Sequence, residues 1–289
     1  MNPFLPEDKF VFANGLRLHY LDWGGDKTKK PFIFMHGIGG NAHGFNQLAP
    51  HFLQTHHVLA LDGRGHGDSD WSKEGYSAQQ MADDLAAFAI VLGAYPFDYF
   101  GHSLGSRIGM PLGAYHGHLI DHLILGDYGP MPDPSPAGRE TAQRRMGSIG
   151  ARAERPKGFF SPQQAFDWHR GQNEAASDGE IWDTVRFTYR TNWDGILAPK
   201  TDPEISWLNG RTGLKEGPFL WDCVGKLRCK TLVLRGETST VLDRKQAQEM
   251  AAKIPNGMGI MRELPRAGHG LHRENLEGAV AIFREFLGS

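Results

Sequence analysis

The sequence predicts an α/β chain built on a mostly parallel sheet and interrupted once by an inserted segment. Three observations lead there. Short apolar runs recur with helical stretches between them, the order that parallel strands and crossover helices require. The strand rhythm stops after Asp127 and resumes only at Lys230. With 289 residues, 40% apolar and 22% charged, the chain is long enough for one large core carrying an insertion.

The elements follow in order. Phe10–Phe12 and Leu16–Leu21 read as an opening hairpin around Asn14-Gly15, a two-residue turn signal. Pro31–Met35 and His57–Leu61 are short buried strands. Ser77 caps a helix reaching Leu92, in which Met81, Leu85, Phe88 and Leu92 recur at spacings of three and four. Phe97–Gly101 is the next strand, Ser106–Tyr115 the next helix, and Leu123–Gly126 a strand ending at Asp127. Lys230–Arg235 and Gly259–Leu264 are strands, and Arg244–Ile254 and Asn275–Leu287 helices. This gives a core of residues 1–128 and 226–289 and an insert of 129–225. Within the insert, Pro162–Gly171 and Glu180–Tyr189 read as helices, with no strand rhythm.

A net charge of −2, from 31 Lys+Arg against 33 Asp+Glu, provides no field for nucleic acid or an anionic membrane. No apolar run spans a bilayer, and MNPFLPEDKF has no basic region leading into an apolar one, so a cytoplasmic chain is expected. Cys223 and Cys229 fit no zinc spacing and are expected as free buried thiols. Composition says nothing about oligomeric state.

The chemistry centres on Gly101-His102-Ser103-Leu104-Gly105. A serine hydroxyl attacks well at neutral pH only when a base takes its proton. Gly-x-Ser-x-Gly between a strand and a helix holds such a serine on a sharp turn, where the glycines let backbone pass close by. His36-Gly37-Ile38-Gly39-Gly40 follows the strand Pro31–Met35 and can present the Ile38 N–H, so that Ile38 and Leu104 form an oxyanion hole. In enzymes of this strand–turn–helix design the base comes last in the chain. His269, between the last strand and the last helix, is favoured over His272, which is expected to cap that helix or face solvent. His102 either shapes the pocket or packs.

His36-Gly37, the run Asp62-Gly63-Arg64-Gly65-His66-Gly67-Asp68-Ser69, Gly101–Gly105 and Gly268-His269 together resemble the α/β-hydrolase superfamily. The resemblance covers nearly the whole chain outside the insert. It implies a mostly parallel eight-stranded sheet flanked by helices, an inserted helical cap over the site, and a loop at Asp62–Ser69 whose charges tie other loops together. Many relatives carry the triad acid three residues beyond a glycine, but here Ser239 stands three beyond Gly236. Three candidates remain: Asp127, an alternative address in several branches and the preferred one; Glu237, near the usual address; and Asp243, which also suits a helix cap.

A serine nucleophile argues against a dehalogenase or an epoxide hydrolase. Phe159, Phe160, Phe166, Trp168, Trp182, Phe187, Trp193 and Trp207 make the insert aromatic. Most are expected in the cap's core, with the rest lining an apolar pocket for hydrophobic small molecules. Arg139, Arg144, Arg145, Arg152 and Arg155 read as a solvated helix face, with carboxylate binding as the alternative. The expected activity is ester hydrolysis through an acyl-enzyme, with no metal or organic cofactor. A lactonase or a carbon–carbon bond hydrolase on the same triad is the alternative, although relatives of the latter kind often carry Gly-Asn-Ser-Met-Gly-Gly. Perhydrolysis is a further option, and a non-catalytic receptor on a hydrolase scaffold the reading from another class.

Overall fold

The computed structural model describes residues 5–130, 156–172, 176–205 and 215–288. β1 (Glu7–Ala13) and β2 (Leu16–Gly24) form the opening hairpin. Asn14 and Gly15 both take positive φ, 49° and 77°, the geometry that matches the turn to the twist of the strands. β3 (Pro31–Met35), β4 (His57–Leu61), β5 (Phe97–His102), β6 (Ile120–Gly126), β9 (Lys230–Gly236) and β10 (Gly259–Leu264) complete an eight-stranded sheet. Its order is β1-β2-β4-β3-β5-β6-β9-β10, with β2 antiparallel to both neighbours and every other pair parallel.

Alternation along the strands divides the core between two faces. Ile33 and Met35 of β3 and Phe97 and Tyr99 of β5 face one cluster; Phe32, Phe34 and Phe100 face the other. The first cluster is covered by α1 (Ala78–Val91), α2 (Leu104–Tyr115), α5 (Gly217–Val224) and α6 (Arg244–Lys253). The second is covered by α7 (Leu276–Leu287) and the loops carrying Phe45 and Phe52. α1 begins in a full capping box between Ser77 and Gln80.

In the insert, α3 (Pro162–Gln172) and α4 (Asp178–Thr188) pack together over a small cluster of Phe159, Ala165, Val185, Tyr189 and Leu197. Here β7 (Tyr189–Thr191) pairs with β8 (Leu197–Pro199), a hairpin the sequence did not reveal. Three-residue strands are too short to display a period of two. α5 was also missed, because Gly217-Pro218 reads as a breaker. The proline lies in the first turn, where its missing N–H costs nothing. No helix among the described residues is long and apolar enough to cross a membrane.

The Asp62–Ser69 run ties loops as expected. Asp62 accepts from Ala42 N at 2.6 Å, from Asp68 N at 2.9 Å and from His19 Nδ1 at 2.7 Å. Arg64 donates twice to Asp84 of α1, Nε to Oδ2 at 2.5 Å and Nη2 to Oδ1 at 2.6 Å, with both side chains buried. Removing one partner of such a pair strands the other charge. Asp84→Asn is therefore expected to cost about 3–5 kcal/mol, read as a lower urea midpoint at unchanged m-value.

Candidate active site

Parallel register brings the ends of the central strands level. Met35 pairs with Gly101, Gly126 with His102, and Leu234 with Gly126. β4 and β5 lie on opposite sides of β3, so the chain order reverses at β3 and a crevice opens between the loops after β3 and β5. Ser103, the turn at Gly37–Gly40, Asp127 and the Gly236–Ser239 loop all follow these strand ends.

Ser103 sits between β5 and α2 at φ 55°, ψ −105°, a strained conformation for a residue with a Cβ. A Cβ at Gly101 would stand 2.2 Å from Gly105 O, and one at Gly105 only 2.4 Å from Met35 O. The two glycines are therefore a steric necessity of the turn. Ser103 N donates to Gly126 O at 2.8 Å, fastening the turn to the neighbouring strand.

With the ring proton of His269 on Nδ1, three side chains form one chain of hydrogen bonds. Ser103 Oγ lies 3.0 Å from His269 Nε2, and His269 Nδ1 lies 2.8 Å from Asp127 Oδ2. Asp127 is fully buried and also accepts from Gly236 N at 3.0 Å and from Ser239 Oγ at 2.5 Å. Ser239 thus occupies the expected address of an acid and donates to the acid on the adjacent strand. Only its position relative to Gly236 marked it in the sequence.

The other acid candidates lie elsewhere. Glu237 is exposed and accepts from Arg266 N at 2.8 Å. Asp243 caps α6, accepting from Gln246 N at 2.8 Å. The turn after β3 packs close to Ser103, since a Cβ at Gly37 would lie 3.2 Å from Ser103 Cβ. Among the described residues, neither Ile38 N nor Leu104 N donates to a backbone carbonyl outside regular elements.

His272 corrects an expectation: it neither caps α7 nor faces solvent. Asn275 supplies the cap, while His272 is buried, stacked on Phe45 and donating through Nε2 to Gly44 O at 3.3 Å. The loop of His269 is held by groups that sequence reasoning missed. Glu274 accepts from Gly268 N at 2.5 Å and from Gly270 N at 2.9 Å, and His102 Nε2 reaches His269 O at 2.6 Å. A carboxylate five residues beyond His269 gives no signal until the loops are folded together, and the place of His102 beside Ser103 did not show which loop it would hold.

The aromatics of the insert divide. Phe159 is buried, and Phe166 stacks on a half-exposed Trp182. Phe187 stacks on His43 at 3.5 Å between ring centroids, joining α4 to the loop after β3. Trp193 (98% exposed) and Phe160 (82%) face solvent. Trp207 and the arginine cluster Arg139, Arg144, Arg145, Arg152 and Arg155 lie outside the described residues. His19, Asp62 and Asp68 converge closely enough to suit a cation. Their atoms are already committed to one another and, at Asp68, to Lys200 Nζ at 2.6 Å.

Several buried imidazoles around the site are held neutral. Burial pushes His66 and His272 down to about 3, helped by nearby His36 and Arg273 respectively. Burial likewise lowers His36, whose Nε2 accepts from Gly63 N at 3.1 Å. A group whose folded pKa lies below its unfolded value of about 6.5 binds its proton more readily in the unfolded chain. Stability is thus full above that pH and lost as pH falls toward 3. Burial is the largest single influence on His19 and opposes its charge, but the hydrogen bonds to Asp62 and Asp8 and the charges of Asp62 and Asp68 together outweigh it and raise the pKa, so His19 works in the opposite sense. Each neutral imidazole contributes at most about 1.4 kcal/mol per pH unit. His272→Gln is expected to flatten the fall in urea midpoint between pH 7 and pH 5; an unchanged slope removes His272 from this account.

Residues 30–276 match the family model described as the alpha/beta hydrolase fold. An esterase of Mycobacterium tuberculosis is 34% identical over 291 residues, covering 99% of this chain and 91% of that protein. N-formylmaleamate deformylase of Pseudomonas putida is 32% identical over 280 residues, covering 96% and 95%. Among solved structures, an E-2-(acetamidomethylene)succinate hydrolase superposes with a TM-score of 0.84 at 21% identity, over 99% of this chain and all of the other, a likeness of fold alone.

Proposed function

The chain belongs to the α/β-hydrolase family, and from that premise we propose that it hydrolyses carboxylic esters of hydrophobic small molecules through an acyl-enzyme on Ser103. The observation that carries this reading is the unbroken chain from Ser103 Oγ through His269 to Asp127. Ser103 Oγ attacks the ester carbonyl while His269 Nε2 takes its proton, and Asp127 stabilises the imidazolium. The N–H groups of Ile38 and Leu104 hold the oxyanion, each such donor being worth about 10²–10³ in kcat. The tetrahedral intermediate collapses, breaking the C–O bond, and His269 returns the proton to the departing alcohol. Water then attacks the acyl carbonyl, giving its proton to His269, and the acid leaves as Ser103 recovers its hydrogen.

Ser103 and Asp127 directly follow strand ends and His269 lies on the loop after β10, an arrangement that suits groups held in place by the fold. The same machinery serves a lactone, a carbon–carbon bond beside a carbonyl, or the formamide suggested by the name of the deformylase relative. A p-nitrophenyl ester panel extended to lactones, diketones and formamides orders these options. A burst of p-nitrophenol equal to the enzyme concentration, with acyl mass on the peptide containing Ser103, supports the reading. Binding of such compounds without turnover of any favours a receptor and overturns it.

A further inference from the structure

His102 stands beside the nucleophile and the ester mechanism gives it no part, yet it is the best-placed contact between the nucleophile strand and the loop of the base. It is the last residue of β5, and its ring is partly buried. Nε2 lies 2.6 Å from the carbonyl oxygen of His269, an acceptor only, so the ring carries its proton on Nε2. The opposite edge of the ring rests on the turn after β3, where a Cβ at Gly37 would approach Nδ1 to 3.2 Å. The ring centroid lies 5.0 Å from that of His269, and His272 closes the remaining side edge-on at 5.8 Å.

We propose that His102 is a positioning residue: its neutral Nε2–H sets the distance of the His269 loop from Ser103 and braces the Gly37–Gly40 turn against the same ring. The inference rests on the reading of Ser103 and His269 as nucleophile and base. Glu274 grips the loop from its exposed side through the N–H groups of Gly268 and Gly270. That grip fixes the loop's curvature. Among the described residues, His102 is the one whose side chain ties the backbone of His269 itself to the strand that carries Ser103. Either charge state offers the Nε2–H, but a neutral ring suits this place because His269 becomes an imidazolium 5.0 Å away during each turnover and a second cation there would oppose it. The groups around it favour neutrality: burial, then His269, His272 and Arg273 nearby, all oppose a charge on His102, with only the His269 carbonyl favouring one.

His102→Gln keeps a donor near the place of Nε2, and His102→Leu fills the space without one. The leucine variant is expected to lose about 10²-fold in kcat on a short-chain ester at unchanged KM, and the glutamine variant to recover most of it. Equal activity of both variants with wild type, or equal loss in both, overturns the proposal. A second readout needs no variant to fold. In wild-type protein with ¹⁵N-labelled histidine, one ring should show the neutral Nε2-protonated pattern at all pH values from 5 to 8, with its proton correlated to the His269 carbonyl. A ring that titrates in that range at this position overturns the proposal. Ser103→Ala run alongside separates the failures: turnover surviving in it sinks the catalytic reading, while the spectrum reports on His102 alone.

Discussion

Ser103→Ala is expected to lower kcat on a short-chain ester by about 10⁶-fold and to leave KM nearly unchanged. In the proposed mechanism Ser103, His269 and Asp127 act as a unit, so loss of the first leaves the other two with no proton to move. Residual turnover of about 10³–10⁴ over water is still expected, because the Ile38 and Leu104 N–H groups remain to polarise a bound carbonyl. The variant should fold, since alanine keeps the Cβ and only the hydroxyl contact to His269 is lost. Ser103→Gly sharpens the test. At φ 55° and ψ −105° the serine is strained by its Cβ, and glycine relieves a strain of order 1–3 kcal/mol. The glycine variant should therefore be both inactive and more stable, read from ester kinetics and a urea midpoint on one preparation. A Ser103→Ala enzyme within tenfold of wild type would mean that some other group attacks.

Stability and reactivity oppose each other at that turn, and the rest of the fold is arranged to hold it. Gly101 and Gly105 admit backbone that a side chain would block, Tyr99 OH donates to Gly105 O at 2.8 Å, and Ser106 Oγ donates to Tyr128 O at 2.9 Å. These contacts join α2 and its entry turn to β5 and to the segment just beyond β6, whose positions are set by the sheet. The strain is local and the support is distributed, which is why a serine can persist there.

Much of this was legible in the sequence because it is written in local signals. Asn14-Gly15, the period-3.6 run from Ser77 and the glycines around Ser103 are each decided by backbone sterics within a few residues. Ser103 and His269 could be chosen because a strand–turn–helix motif and a last loop have fixed places in the chain. The contacts that tune them were not legible. Ser239 meets Asp127 across 112 positions, and His102 meets His269 across 167. Such pairs exist only once the strands are in register. His272 was misplaced for the same reason: its nearness to α7 in sequence says nothing about Phe45, on which it stacks. The three-residue strands of the insert carry too little pattern to be seen at all.

Asp127→Asn is expected to lower kcat by about 10⁴-fold with little loss of fold, while Glu237→Gln turns over like wild type. The reason lies in what surrounds the carboxylate. Gly236 N–H, Ser239 O–H and His269 Nδ1–H all donate to it, and a carboxylate, offering acceptors only, satisfies all three. An amide has one oxygen. If that oxygen meets the fixed Gly236 N–H, its NH₂ faces His269, whose Nδ1 must then become the acceptor. The ring proton moves to Nε2, and the base presents an N–H to Ser103 instead of a lone pair. Ser239 adds a stricter test, because its Oγ lies 2.5 Å from the carboxylate oxygen that His269 uses. Exchanging the two residues, Asp127→Ser with Ser239→Asp, moves the acid one strand along the sheet while keeping a hydroxyl beside it. The exchanged enzyme should recover at least tenfold over Asp127→Ser alone, with the ring proton of His269 back on Nδ1 by ¹⁵N spectroscopy. No recovery, with His269 in the wrong tautomer, would mean that the carboxylate works only from the end of β6. Normal turnover in Asp127→Asn would remove it from the reaction altogether.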